Sequence, residues 1–266
     1  MARFVEQAER RFHLEQLESF WTLEEDFRQL ADGGFATHWI NTELARLGNE
    51  PGYKGDWRPN ELVVHHGRGW SLSIRLIEEA RSYIHSSAAL AMCTPAGGES
   101  LRYDIYRLPE EYNNSVFDPA LRLEPAGSGI TAPGGVLLQF EQFAYDFHAS
   151  RPVTVLSFAT APFQTLEWLF NRSTLHAWQA NDSELACTQL RVAAYVLGRL
   201  AHQSSLEPLR EMAAHPHHAV RWAAIQNLGR LSRRAVVPLL EQAVNDPHPH
   251  VRRAAAKTLQ QLSAKK

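Results

Sequence analysis

The sequence predicts an α+β chain in three parts: N-terminal helices, a central antiparallel β region and a C-terminal helical stack. Three observations carry this prediction. Apolar residues recur at helical spacing before about residue 47 and again after Pro162, and between them the period shortens toward two. The central segments are short and bounded by turn residues, whereas the last eighty residues repeat themselves with an offset of 31. With 266 residues and 44% hydrophobic composition, the chain has enough apolar side chains for a substantial core, and 21% charged residues argues against long disordered tails.

In the first part, Phe20, Leu23, Phe27 and Leu30 are spaced three, four and three apart, and Asp32-Gly33-Gly34 stops the pattern. A second helical pattern runs from Phe35 to Leu47 and ends in the breaker-rich stretch Gly48 to Trp57. Residues 1–58 therefore read as a helical arm packing on the central β region.

From Glu61 the alternation Trp70-Ser71-Leu72-Ser73-Ile74-Arg75-Leu76 marks a strand with two different faces. Strands are expected at about 62–65, 70–77, 83–93, 101–107, 121–124, 136–146 and 152–159. Turns fall at Pro95-Ala96-Gly97-Gly98, Asn113-Asn114, Pro125-Ala126-Gly127 and Pro133-Gly134-Gly135. Short strands at these intervals indicate an all-β barrel or sandwich over 59–163 rather than alternating βα units. Residues 164–187, with Trp168, Phe170 and Trp178, read as a helical junction sealing two domains.

In the last part, Ala219 to Leu231 matches Val251 to Leu262, and Leu190 to Leu200 is a third copy with one residue missing. Leu206-Glu207-Pro208-Leu209 corresponds to Val236-Val237-Pro238-Leu239, and the turns His215-Pro216 and Asp246-Pro247 also correspond. One helical pair cannot bury its apolar stripe alone, so three copies imply stacked pairs over 188–266. These residues resemble the HEAT repeat, in particular the short bacterial type found in phycobilin-lyase-like proteins, with its D-x-x-x-x-V-R-x-A-A-x-x-L-x-x-L signature. Asp246 to Leu262 satisfies that signature, whereas His215 replaces the Asp in the second copy. The resemblance implies a surface for macromolecules, with Arg191, Arg221 and Arg252 forming an inter-repeat ladder.

The stretch Gly127 to Gly135 resembles the G-x5-P-x-G opening of the second motif of cupins, which are small jelly-roll barrels. The pattern then departs. Leu138 stands where the family's metal-binding His belongs, and Gln142 stands where its Asn belongs. Tyr83-Ile84-His85-Ser86-Ser87 matches a remnant of the first motif, with Ser87 in place of the second His. A mononuclear site of iron, manganese, nickel or zinc would draw its imidazoles from His65, His66, His85 and His148. His65 and His66 are adjacent, so in a strand they face opposite ways. The competing reading is of isolated, hydrogen-bonded histidines.

Asn113, Asn114 and Asp118 form a candidate ligand loop, against the alternative of an Asx-rich turn. Cys93 and Cys187 make neither a disulfide framework nor a CxxC pair and read as buried thiols. No GxSxG elbow, Walker loop, dinucleotide fingerprint or HExxH occurs. No apolar run is long enough to span a bilayer, and MARFVEQAERRFHLEQ is acidic where a secretory signal is apolar, so the expected location is the cytoplasm.

The net charge of -2 conceals a division. From Gln189 to Lys266 there are 12 Lys and Arg against 4 Asp and Glu, a net of +8, which leaves 15 against 25 before it, a net of −10. Arg230, Arg233, Arg234, Arg253 and Lys257 are candidate partner-binding residues on the basic part, for protein first and nucleic acid second. Six of the 13 histidines lie between His202 and His250, mostly in inter-helix turns, where they read first as turn decoration and otherwise as groups that would make binding pH-sensitive or attract adventitious metal. The leading expectation is an interaction or regulatory protein whose repeats dock a partner and whose barrel binds a small ligand or a second partner. The alternatives are a metal-dependent cupin oxygenase or isomerase and a nucleic-acid-binding regulator. Opposite charges also admit self-association of copies.

Overall fold

The computed structural model describes residues 1–78 and 82–264 and has the expected α+β composition. The chain divides into two units, Met1–Tyr112 with Asp118–Asn181, and Asn113–Phe117 with Asp182–Lys266. No helix among the described residues is long and apolar enough to cross a membrane.

In the first unit, helix α1 (Ala2–Arg11), a 3₁₀ segment (Leu17–Leu23), α2 (Glu24–Asp32) and α3 (Phe35–Asn49) precede the strands. Gly34 adopts φ +66, and this left-handed residue separates α2 from α3 where the sequence places a stop. The strands are β1 (Trp57–Arg58), β2 (Glu61–Gly67), β3 (Trp70–Ile77), β4 (Tyr83–His85), β5 (Ala91–Pro95), β6 (Leu101–Arg107), β7 (Glu124–Thr131), β8 (Leu137–Gln139), β9 (Phe143–His148), β10 (Val153–Thr160), β11 (Leu166–Asn171) and β12 (Ala177–Asp182). One sheet has the order β1-β2-β3-β10-β5-β8, and two three-stranded sheets have the orders β12-β11-β4 and β7-β6-β9. The bridge Ser86 to Ala144 links the two smaller sheets beside β4 and β9, and Arg122 to His176 joins the segments that lead into β7 and β12.

Strand alternation gives the large sheet two distinct faces. Trp70, Leu72 and Ile74 of β3, Leu156 and Phe158 of β10, and Met92 of β5 pack beneath Phe4, Ala8, Phe12, Phe20, Leu23 and Phe27 of the helical arm. Phe158 is fully buried at the centre of this layer, with ring centroids 5.0 Å from Phe4, 4.6 Å from Phe20 and 5.4 Å from Trp70. On the opposite face, Cys93, Leu137, Val153 and Val155 meet Leu101, Tyr103, Tyr145 and Phe147 of the β7-β6-β9 sheet. The sheets therefore enclose an interior that is apolar at this end.

Three expectations need correction. Residues 164–187 are not a helical junction: Leu166, Trp168 and Phe170 alternate into the core from β11, and β12 follows. A short, dense apolar run such as Trp168-Leu169-Phe170 reads equally as a buried helix segment when its partner strands are unknown. The single strand expected at 83–93 is interrupted: β4 joins one sheet and β5 another, because the chain changes sheets across Ser86–Leu90. The same happens at 136–146, which divides into β8 and β9.

The second unit contains α4 (Leu185–Leu200), α5 (Leu206–Met212), α6 (His218–Leu231), α7 (Arg233–Ala243) and α8 (Pro249–Ser263) around Ala194, Leu209, Ala224, Leu228, Leu240, Val251 and Ala255. The signature arginines are consumed internally. Arg221 donates to both carboxylate oxygens of Asp246, at 2.9 and 2.7 Å, and to the carbonyls of His215 and Pro216. Arg252 repeats the pattern on the carbonyls of Asp246 and Pro247, and Arg191 pairs with Asp182 at 2.5 Å.

Helices α4 and α6 approach through Gly198, where an added Cβ would lie 2.7 Å from Asn227 Cβ. Rotation of Asn227 cannot relieve a contact to its own Cβ, so the helices must separate. Gly198→Val is expected to destabilise the helical unit by about 1–3 kcal/mol, read from the urea midpoint of its helical signal.

Candidate functional site

The interior of the first unit is polar beyond its apolar end. Pairing register aligns Val63, Ser73, Ser157, Cys93 and Leu137 in one inward row across the large sheet. The rows on either side contain Glu61, Arg75 and Val155, and His66, Ser71, Ala159 and Ala91. Ser73 and Ser157 are buried, and Arg75 makes no ion pair among the described residues.

The facing sheet contributes His85 and Glu167. Ser86 lies opposite Ala144, so His85 shares the face of Tyr145, which packs into the interior. Glu167 lies on that same face of β11, and His85 Nδ1 is 3.1 Å from its Oε1. Half-exposed, the pair stands at an accessible part of the interior. Burial pushes the Cys93 thiol up to about 12, partly opposed by the charge of Arg75 and a hydrogen bond from Gln139. This thiol is inert at neutral pH, which agrees with the structural reading of the cysteines.

The four candidate metal-binding histidines do not converge. His66 faces inward and pairs with Asp56 at 3.1 Å, while His65 lies on the helix-covered face, 5.1 Å from the Trp70 ring. His148 shares the outward face of Asp146 on β9. There Asp104 contacts its Nε2 at 2.8 Å, and Arg172 donates to its Nδ1 at 2.7 Å while pairing with Asp146. Among the described residues, no group of three or more His, Cys, Asp or Glu is arranged to hold a metal ion. The expected ligand set of His65 or His66 with His85 and His148 thus places His65 and His148 outside the interior, because each lies on the opposite pleat from it.

The loop candidates serve the backbone. Asn113 Oδ1 accepts from the Ser115 N–H and hydroxyl, and Asp118 Oδ1 accepts from the Ala120 N–H. These are Asx turns, and Asn114 is half-buried. Of the basic candidates, Arg230 donates to Asn227 and covers the Tyr195 ring, and Arg233 donates to the Leu262 carbonyl. Arg234, Arg253 and Lys257 are exposed.

The turn histidines form a column that sequence spacing only suggests. His218 and His248 stack at 3.6 Å, His217 lies 4.9 Å from His218, and His248 Nε2 is 2.6 Å from the Ser115 carbonyl. Burial, followed by His248, His217 and Arg221, lowers the His218 pKa to about 4, and burial also lowers that of His250. An unfolded His takes up its proton near pH 6.5, whereas folded His218 resists it down to about 4. Acidification through that window therefore favours unfolding. Asp246 acts in the same direction. Burial raises its pKa, but the Arg221 and His248 N–H hydrogen bonds outweigh burial and leave it lowered, so its stabilisation is lost as it protonates. Melting of the helical unit is expected to fall between pH 6.5 and 4, and His218→Phe should remove part of that fall.

The sequence alone does not reveal the rows of Ser71, Ser73 and Ser157 or the His85–Glu167 pair. The serines carry a signal, small polar residues alternating with large apolar ones. The pair joins residues 82 positions apart and carries none.

In comparison with known proteins, residues 213–266 match the family model described as HEAT repeats. No curated protein sequence matches significantly. Among solved structures, hydroquinone 1,2-dioxygenase PnpCD with Cd2+ and 4-hydroxybenzonitrile aligns with TM-score 0.32 and 19% identity, covering 42% of this chain and 69% of that one. Hydroquinone 1,2-dioxygenase from Sphingomonas sp. TTNP3 aligns with TM-score 0.33 and 15% identity, covering 40% and 68%. Protein NMB1881 from Neisseria meningitidis aligns with TM-score 0.28 and 8% identity, covering 44% and 95%.

Proposed function

We propose that this chain is a cytoplasmic interaction protein whose barrel binds a small anionic ligand and whose repeats dock an acidic protein partner. The observation that supports this most directly is Arg75, an inward cation without an ion pair among the described residues, beside Ser71, Ser73 and Ser157. A half-buried guanidinium flanked by hydroxyl groups suits a carboxylate, and the apolar end formed by Tyr103, Tyr145 and Phe147 suits a hydrophobic body. On the second unit the signature arginines are internally satisfied, so the charge available to a partner resides on Arg234, Arg253 and Lys257, with Arg230 and Arg233 beside them.

A calorimetric panel of aliphatic and aromatic carboxylic acids tests the pocket. Arg75→Gln is expected to weaken the best ligand by about 1.5–3 kcal/mol, the worth of a charged hydrogen bond. Failure of every acid to bind, or binding indifferent to Arg75→Gln, would remove this reading. The inward His85–Glu167 pair supports a second one. Stoichiometric iron, manganese, nickel or zinc in untagged protein, lost in His85→Ala, would assign the pocket to metal-dependent catalysis. Steeply salt-dependent binding to duplex DNA, weakened by Arg233→Ala with Arg234→Ala, would instead favour nucleic acid as the repeat partner.

A further inference from the structure

Helix α4 carries an apolar stripe that is exposed among the described residues. Leu185, Val192, Val196 and Leu200 are 70%, 57%, 45% and 68% exposed, and their spacing of seven, four and four places them along one side of the helix. Cys187, Ala194 and Gly198 occupy the opposite, buried side.

The internal repeat shows that this exposure is anomalous. Val192, Tyr195 and Leu200 correspond to Trp222, Ile225 and Leu231 of α6, of which Ile225 is buried in the core of the helical unit and the other two, partly buried, pack against it. Helices α5 and α7 precede α6 and α8, whereas β12 precedes α4. Helix α4 is thus the second half of a repeat whose first helix is missing, and its apolar side lacks the helix that the repeat geometry would supply. The far end of the stack cannot fill that place in another copy, because α8 exposes Arg253, Lys257, Gln260 and Gln261 there. Helix α4 itself can. In an antiparallel pair crossing at Val192, Leu185 of each copy meets Leu200 of the other. The same register brings Glu184 of each copy beside Arg199 of the other, and Arg199 makes no ion pair among the described residues.

We infer that the protein self-associates through an isologous, antiparallel pairing of α4 with α4 of a second copy. The two-fold axis passes near Val192, so each substitution acts twice in the interface. A pairing of one 16-residue helix per copy is small, which makes a concentration-dependent dimer the expected state.

Sedimentation velocity of the full chain, taken to several hundred micromolar, tests this. A monomer–dimer equilibrium is expected, and Val192→Asp with Leu200→Asp should weaken it by more than about tenfold, since four apolar contacts are lost. Glu184→Arg alone and Arg199→Glu alone should each weaken it several-fold, whereas an equimolar mixture of these two variants should restore it as a heterodimer. Unchanged melting of the variants would show that the helix itself remains folded. A chain that stays monomeric throughout, or a dimer indifferent to these four changes, would overturn the inference, even if some other protein's helix were then found on α4.

Discussion

Phe158→Ala is expected to cost about 3–5 kcal/mol, among the largest effects of any single substitution in the chain. The ring is fully buried and is shared by three aromatic residues of the helical arm and by Trp70 of the adjacent strand. Its removal leaves a cavity between two layers that are held together mainly by such contacts, and neither layer can collapse into it without moving a helix or a strand. Urea denaturation followed by tryptophan emission reads this directly, because Trp70 touches the same ring. The arm should also become the first site of limited proteolysis, since its aromatic residues lose their common partner. A loss below about 1 kcal/mol would mean that the arm is held by something other than this layer.

Arg221→Ala is the second large effect. The guanidinium bonds Asp246 through two nitrogens and also holds the carbonyls that end the preceding turn, with the side chains of both residues largely buried. Truncation leaves Asp246 with an uncompensated charge, for which a loss of about 3 kcal/mol is expected. Asp246 also accepts from the His248 N–H, so the α7–α8 turn should loosen with it. The double variant Arg221→Ala with Asp246→Ala should lose less than the sum of the single losses, because the stranded charge is gone. An additive double mutant would show that the ion pair is not the connection between these repeats. Arg252 provides a comparison: it holds carbonyls alone, so Arg252→Ala should cost less.

These two residues also show what is legible in the sequence. Arg221 stands out because Arg252 repeats it at the same offset of 31, and the ladder between repeats is what the resemblance to HEAT repeats implies, whereas Asp246 has His215 as its counterpart. Phe158 is visible as part of a strand, but not as the centre of a layer, because its partners Phe4, Phe20 and Phe27 are more than 130 residues away. The strand at 101–107 is legible to the residue from its alternation and turns. β11 is not, because Leu166, Trp168 and Phe170 in a dense apolar run have no polar alternation strong enough to declare a strand.

The candidate site divides along the same line. Opposite orientations for His65 and His66 follow from the pleat, and the structure has them so, one on Trp70 and the other beside Asp56. The placement of His85 and His148 on opposite faces depends on the Ser86–Ala144 bridge, a contact between strands that no local pattern announces.

By itself, then, the sequence determined the helix-strand-helix order, the repeat with its recurring arginines and the charge division, because periodicity and offset are properties of neighbours along the chain. Only the tertiary structure decided which faces of β4, β9 and β11 look inward, that Arg75 and His85 lie on inward faces while His65 and His148 do not, and that α4 exposes positions whose counterparts pack in α6. Those outcomes depend on register and stacking between distant segments, where a shift of one residue turns every side chain of a strand to its other face.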